Sequence, residues 1–298
     1  MNEKMPSYGG QAVIEGVLMR GATSVAMANR TPDNEIVVYQ EKLKGIYTSN
    51  IRKIPFLRGL ILLWDSLGLG MRLLTMAANI QTGEDEKLEG SALFLTLGIS
   101  VVFSVGLFFL LPAFISGLLA RIPAVSPWVI NLFEGLFRLA ILIIYLVLIG
   151  KMEDIKRVFM YHGAEHKTIN AFEDGAELTP EVVKQYSVEH PRCGTAFMLT
   201  LVLMSIVVFS LLGPLPMHWR LLSRLLMIPL LAGMSYEYIR LLSRHLDSKF
   251  VQIIIKPNLA LQKLSTREPT EEMLEVSIKA FQTMYAMEHE PTVNDIIG

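Results

Sequence analysis

The chain has a single cysteine, Cys193, in 298 residues. One thiol excludes an internal disulfide framework and fits a reducing or cytosol-facing setting. Charge is also scarce. Asp, Glu, Lys and Arg together make up 18% of the residues, against roughly one quarter in soluble globular proteins. The formal net charge is −1, so the overall balance suggests neither a nucleic acid nor an acidic partner, and any charge asymmetry is local. The opening MNEKMPSYGG has no apolar core of the signal-peptide kind, so the first residues are expected in the mature protein. The sequence has no Gly-rich phosphate cradle, Walker pattern or G-x-S-x-G, so nucleotide hydrolysis and serine-hydrolase chemistry have no support. No internal repeat or low-complexity tract is visible.

What is abundant is apolar sequence, 52% of the chain. Four stretches reach the roughly 20 apolar residues that a bilayer requires: 92 to 118, 128 to 150, 195 to 217 and 219 to 239. Short turns at Arg121 to Pro127 and Pro214 to Trp219 make each pair a hairpin. The expected fold is therefore mainly α, a polytopic membrane helical bundle of about four transmembrane helices in two hairpins. Lys151, Lys156, Arg157, Lys167, Lys184 and Arg192 crowd the middle loop, and Arg240, Arg244 and Lys249 follow the last span. The positive-inside rule then puts both termini and this loop in the cytoplasm.

The remaining segments divide as follows. Residues 1–50 carry three β-rich runs, GGQAVIEGVLMRG, SVAMANR and EIVVYQEKL, and predict a small three-stranded cytoplasmic meander. Residues 51–90 contain an apolar stretch, 54 to 80, interrupted by Arg58, Asp65 and Arg72. An interfacial or re-entrant helix suits it better than a fifth span. The hairpins occupy 91–150 and 195–242, the middle loop 151–194 and a cytoplasmic C-terminal region 243–298. In the last of these, Pro269 to Glu288 puts Leu274, Ile278, Phe281 and Tyr285 on one face of an amphipathic helix.

The chemistry concentrates in the middle loop, at YHGAEH. If residues 155 to 172 extend the second span as a helix, His162 and His166 are four apart and share a face. With Glu165 they form H-x-x-E-H, the inverted zinc-protease order, in which the histidines bind Zn²⁺ and the glutamate takes a proton. Glu173, Asp174 and Glu177 follow, and EHPRCG brings His190 and Cys193 just before the third span. A third ligand is expected from Glu173, His190 or Cys193, the residue types that bind zinc. Pro191 favours a helix start here, where a cysteine tends toward the thiolate. The alternatives are interfacial histidines at a helix end and a small buried cysteine.

Two further acids lie in apolar surroundings. Alternation puts Gln11, Val13, Glu15 and Val17 on one strand face, where Glu15 is either a ligand, a partner of a histidine, or an ion pair with Arg20 or Arg30. Glu237, near the end of the fourth span, is a functional candidate by its position, or else the partner of Arg240 or of Arg138. The methionines read as packing.

GGQAVIEGVLMRG at 9–21, HGAEHKTI at 162–169, HPRCGTAF at 190–197, SYEYIRLL at 235–242 and LQKLSTREPTEEMLEVSIKAF at 261–281 resemble, in order and over nearly the whole chain, the DUF1385 family of bacterial membrane proteins. That family is described as predicted metal-dependent enzymes. The resemblance implies a bacterial inner-membrane protein with a metal and names no substrate. Three functions follow as expectations. The first is a membrane metalloenzyme, hydrolytic, with a divalent metal, Zn²⁺, on His162 and His166, Glu165 as general base, and a membrane-associated peptide or lipid as substrate. The others are a metal-stabilised scaffold and a small transporter or assembly factor.

Overall fold

A computed structural model describes residues 8–45, 54–82, 90–122, 125–212 and 215–289. The chain is mainly helical with one small antiparallel sheet. The sheet has four strands where the sequence predicts three: β1 (Gly9–Val13), β2 (Gly16–Arg20), β3 (Ser24–Arg30) and β4 (Ile36–Lys42), in that spatial order. GGQAVIEGVLMRG supplies two strands because Val13 pairs with Gly16 around a two-residue loop. Glu15, in that loop, has φ 51°. The positive φ takes Glu15 out of the expected strand alternation.

Both faces of the sheet are covered. Val17, Met19, Ala26 and Ala28 face one apolar core, while Val13, Leu18, Val25 and Met27 face another. The first core is shared with α6 (Glu153–Glu173) and the C-terminal α12 (Glu271–His289). Leu274, Ile278 and Phe281 of α12 are buried there and Tyr285 packs against them, on the stripe their spacing predicts. The second core belongs to α2 (Met71–Thr82) through Leu73 and Ala77. Residues 54–82 therefore form two short helices, α1 (Leu57–Asp65) and α2, joined by a π-helical turn at Ser66–Gly70. Among the described residues, this region is not one of the helices long and apolar enough to cross a membrane.

Among the described residues, three segments are long and apolar enough: Leu93–Leu119, Pro127–Ile149 and Gly194–Leu211. The first comprises α3 (Gly90–Val105), a π turn at Gly106–Leu110 and α4 (Leu111–Leu119). The second is α5 (Pro127–Ile149), started by the Ser126 side chain, which accepts from the Val129 N–H, and by Pro127 in the first turn. The third is α8 (Gly194–Leu211), which follows the short α7 (Pro180–Val183). The expected fourth span is a bent pair, α9 (Met217–Leu226) and α10 (Ile228–Ser243), at 48°. Pro229 explains the bend, since it has no N–H for the helical ladder. Membrane character is thus carried by three such helices, or four if the bent pair is one span.

Helix α6 is separate from α5, broken at Gly150–Met152, and carries Glu153 and Asp154 in its first turn, where acids complement the helix dipole. One further helix, α11 (Lys249–Ser265), fills the stretch after the last span and packs on α8 and α5. It buries Val251, Ile255, Asn258, Leu261, Gln262 and Ser265, a single stripe despite the internal Pro257.

Candidate metal centre

Three backbone segments converge at the junction of α6, the start of α8 and the end of α11. On α6, His162 and His166 lie one turn apart with ring centroids 4.4 Å from each other. Cys193 is the N-cap of α8, and its sulfur accepts the Thr195 N–H at 3.3 Å. Its Sγ lies 3.1 Å from His162 Nε2. Among the described residues, His162, His166 and Cys193 form the group whose ligand atoms all lie within 4.8 Å, close enough to hold one metal ion.

The outer nitrogen of each ring is fixed by main chain. His162 Nδ1 is 2.8 Å from the Ser265 carbonyl, and His166 Nδ1 is 2.6 Å from the Val188 carbonyl. A carbonyl can only accept, so each Nδ1 carries a hydrogen and points Nε2 into the group. His166 is almost fully buried, which pushes its pKa down and keeps it neutral. Its Nε2 is buried beside the Cys193 thiol and makes no hydrogen bond of ordinary geometry. Backbone carbonyls holding the far nitrogen are the usual orientation device for metal-binding histidines.

The loop that brings Val188 into place is gathered by α6. Lys167 Nζ donates to the Lys184 and Tyr186 carbonyls, and Asn170 donates to those of Ser187 and Glu189. Gly163 has a separate function. The linker after α11 crosses α6 at this glycine, and a Cβ there would fall inside van der Waals contact of the Arg267 carbonyl oxygen. The G of HGAEH is therefore a close-approach position between the two histidines.

Glu165 is buried on the flank of this helix, against the first strand. The Gly10 N–H donates to it, and a Cβ on Gly10 would stand 2.9 Å from its carboxyl carbon. Burial pushes the Glu165 pKa up, partly offset by His162 and His190. The result is a carboxyl inclined to hold a proton beside two imidazoles.

His190 and Glu173 lie next to the three-residue group. His190 is buried with its ring 5.8 Å from that of His166, and its Nε2 is 3.5 Å from Glu173. Burial lowers the His190 pKa. Glu173 is also ion-paired with Arg192. Gln262 of α11 fixes the His190 peptide on both sides, accepting its N–H at 3.0 Å and donating to its carbonyl at 2.8 Å. Sequence reasoning missed Gln262, Gly10 and the two carbonyls. Gln262 and Gly10 carry a signal, as a polar residue on the buried stripe of α11 and as a glycine in a strand.

The other two acids have different partners from those expected. Glu15 accepts from Arg157 Nη2 at 2.6 Å and from the Tyr161 hydroxyl at 3.3 Å, whereas Arg30 pairs with Glu275. Its loop position turns it toward α6. Glu237 accepts from Arg58 Nε at 2.6 Å and from the Phe56 N–H at 3.1 Å. Its partner thus comes from α1, which packs on α10, while Arg138 pairs with Glu134.

The DUF1385 family, described as a protein of unknown function, matches residues 54–287. The uncharacterized protein YqhQ of Bacillus subtilis (strain 168) is 34% identical over 298 aligned residues, covering 95% of this chain and 93% of that protein. No solved structure matches the chain. With the family matched over most of its length and a relative aligned almost end to end, the chain belongs to the DUF1385 family.

Proposed function

We propose that the chain is a metal-dependent membrane enzyme, hydrolytic in type, with His162, His166 and Cys193 holding a divalent cation. The observation that carries this is the convergence of two imidazoles and a thiol, His162, His166 and Cys193, whose ligand atoms all lie within 4.8 Å of one another. Two imidazoles and a thiolate are a donor set suited to Zn²⁺. Three protein ligands are the number found in catalytic zinc sites, which leave a position for water or substrate. A bound zinc supplies Lewis-acid polarisation and an acidified water. Burial raises the Glu165 pKa, the direction suited to general acid or base work.

The placement of Cys193 at the first turn of an apolar helix favours a membrane-associated peptide or lipid as substrate. The basic middle loop favours an inner-membrane protein with this site and both termini in the cytoplasm. Metal analysis of detergent-purified protein tests the ligand set. Zinc near one equivalent in the parent, and little in His162→Ala, His166→Ala and Cys193→Ser, is expected. Full metal retention in all three variants would sink the reading.

The depth of the site favours a second reading, a structural metal that ties the 167–192 loop to α6. Complementation of a deletion strain separates the two. Glu165→Gln retaining metal but losing complementation supports catalysis, whereas full complementation by that variant supports the structural reading.

A further inference from the structure

Toward the other end of α8 is a second polar cluster that the metal reading does not use. Ser205 and Phe209 lie toward the far end of α8 from Cys193. Around them sit Arg138 of α5, Arg220 and Arg224 of α9, and Glu134 of α5, each no more than 3% exposed. Glu134 is the sole acidic residue between Gly90 and Ile149, and none occurs between Gly194 and Tyr236. Three cations therefore share one carboxylate inside an apolar bundle. Burial of charge is costly unless it is matched, and ionisable groups within membrane helices mark functional sites by default.

The four groups are not equally committed. Arg224 donates to both oxygens of Glu134, from Nε at 2.9 Å and Nη2 at 2.8 Å, and lies 4.0 Å from the Phe209 ring centroid. Arg138 donates to Glu134 at 3.0 Å, to Ser205 Oγ and, from Nε at 2.8 Å, to the Phe108 carbonyl. Phe108 belongs to the π turn of the first span, a distortion that is frequent at functional sites. Arg220 donates to Ser116 Oγ at 2.9 Å but stands 3.7 Å from Glu134, beyond hydrogen-bond range. It is the cation least engaged by the carboxylate.

Depth and access complete the picture. Arg220 follows the exposed Trp219, and Glu134 lies six positions after the exposed Trp128, about 9 Å along a helix. Tryptophans of this kind mark the headgroup level of a bilayer. Over Gly117, next to Ser116, lies the Met217 side chain: a Cβ on that glycine would be 3.1 Å from Met217 Sδ and 3.8 Å from Arg220 Cδ. Methionine is a flexible cover that can swing aside.

We propose that this cluster is an anion site for a phosphomonoester, received by Arg220 with Arg224 and Arg138 behind it. The surplus of two positive charges matches a phosphomonoester, which carries about 1.5 to 2 negative charges near neutral pH. Guanidinium forks suit its tetrahedral oxygens. The group can belong to a phosphorylated lipid at headgroup depth or to free phosphate.

The test uses the full chain in neutral detergent, titrated with dioleoyl phosphatidic acid, dioleoyl phosphatidylglycerol and inorganic phosphate while binding is measured. Saturable binding of phosphatidic acid or phosphate, at least about tenfold tighter than phosphatidylglycerol, is expected, the margin of one charge-assisted hydrogen bond. Inorganic phosphate that binds alone and displaces phosphatidic acid identifies free phosphate; phosphatidic acid binding that phosphate does not displace identifies a lipid. Arg220→Gln should weaken binding about tenfold or more, and Arg220→Lys, which keeps the charge but loses the fork, by a smaller factor. Should the glutamine variant fail to fold, the lysine variant decides. Phosphatidylglycerol binding as tightly as phosphatidic acid and inorganic phosphate, or no saturable binding of either, overturns the proposal, as does unchanged affinity in the variant that folds.

Discussion

Cys193 Sγ and His162 Nε2 are 3.1 Å apart although 31 residues separate them. A thiol and an imidazole at this distance also describe a nucleophile and its base, but that pairing does not use the second buried imidazole, His166, which also lies against the thiol. Cys193→Ser discriminates between the two. A metal ligand exchanged for a weakly binding hydroxyl should lose bound zinc, whereas a nucleophile exchanged for serine should leave metal content where it was. Elemental analysis of the purified variant reads the outcome directly.

Gly163→Ala and Gly10→Ala should both destabilise the protein, to different degrees. At Gly10 the obstacles are the Glu165 side chain and the neighbouring strand, and a loss of about 1 to 3 kcal/mol is expected. At Gly163 the obstacle is the Arg267 main chain, which cannot rotate away, so the loss should be larger and metal should go with it. Thermal unfolding with parallel zinc analysis checks this order. A Gly163→Ala protein as stable as the parent would refute the close approach.

Gln262→Leu removes both bonds to the His190 peptide from a fully buried site. Leaving a buried N–H and a buried carbonyl unsatisfied costs about 1 to 3 kcal/mol each, so the variant should unfold at clearly lower temperature. Gln262→Glu, which keeps the acceptor alone, should fall below the parent as well. A melting curve matching the parent's would show that the peptide finds other partners.

Glu134→Gln leaves three buried arginines without a carboxylate, and breaking such a set costs about 3 to 5 kcal/mol. Glu237→Gln breaks only the partly exposed pair with Arg58 and should cost about 1 kcal/mol or less. Comparison of their unfolding midpoints in one detergent tests the contrast. Equal midpoints would mean that the buried cluster is stabilised by something other than Glu134.

Orientation can be read with a thiol placed on the middle loop. Cys193 itself is buried, so Glu181→Cys, on an exposed residue of α7, is the better reporter. A membrane-impermeant thiol reagent added outside intact cells should leave it unmodified and label it after the membrane is opened. Labelling from outside would invert the orientation drawn from the basic residues.

The parts of this architecture that depend on local periodicity were readable from the chain. The apolar lengths of the spans, the stripe on α12 and the shared face of His162 and His166 all follow from spacings of three to four residues. Cys193 was readable because Pro191 signals a helix start. The partners of the charged groups were not, since Arg58 and Glu237 are 179 positions apart and Glu15 and Arg157 are 142 apart. The carbonyls of Ser265 and Val188 have no side-chain signature at all, because every residue carries the same acceptor. The four-stranded sheet was counted as three for a related reason: the Ile14–Glu15 loop has none of the glycine or asparagine that usually marks a two-residue turn.

The covering of the sheet by α12 has a consequence for the order in which the protein is made. β2 and β3 leave the ribosome early, yet one of their apolar faces waits for a helix that begins at Glu271. At elongation speeds of about 5 to 20 residues per second, the intervening chain takes roughly 12 to 50 seconds to synthesise. During that interval the spans enter the membrane while Val17, Met19, Ala26 and Ala28 lack their final cover. A nascent chain in this state carries an uncovered apolar half-sheet, so its yield should depend on holdase chaperones, and premature termination before α12 should mark it for proteolysis even with every apolar span and the His162, His166 and Cys193 group already made.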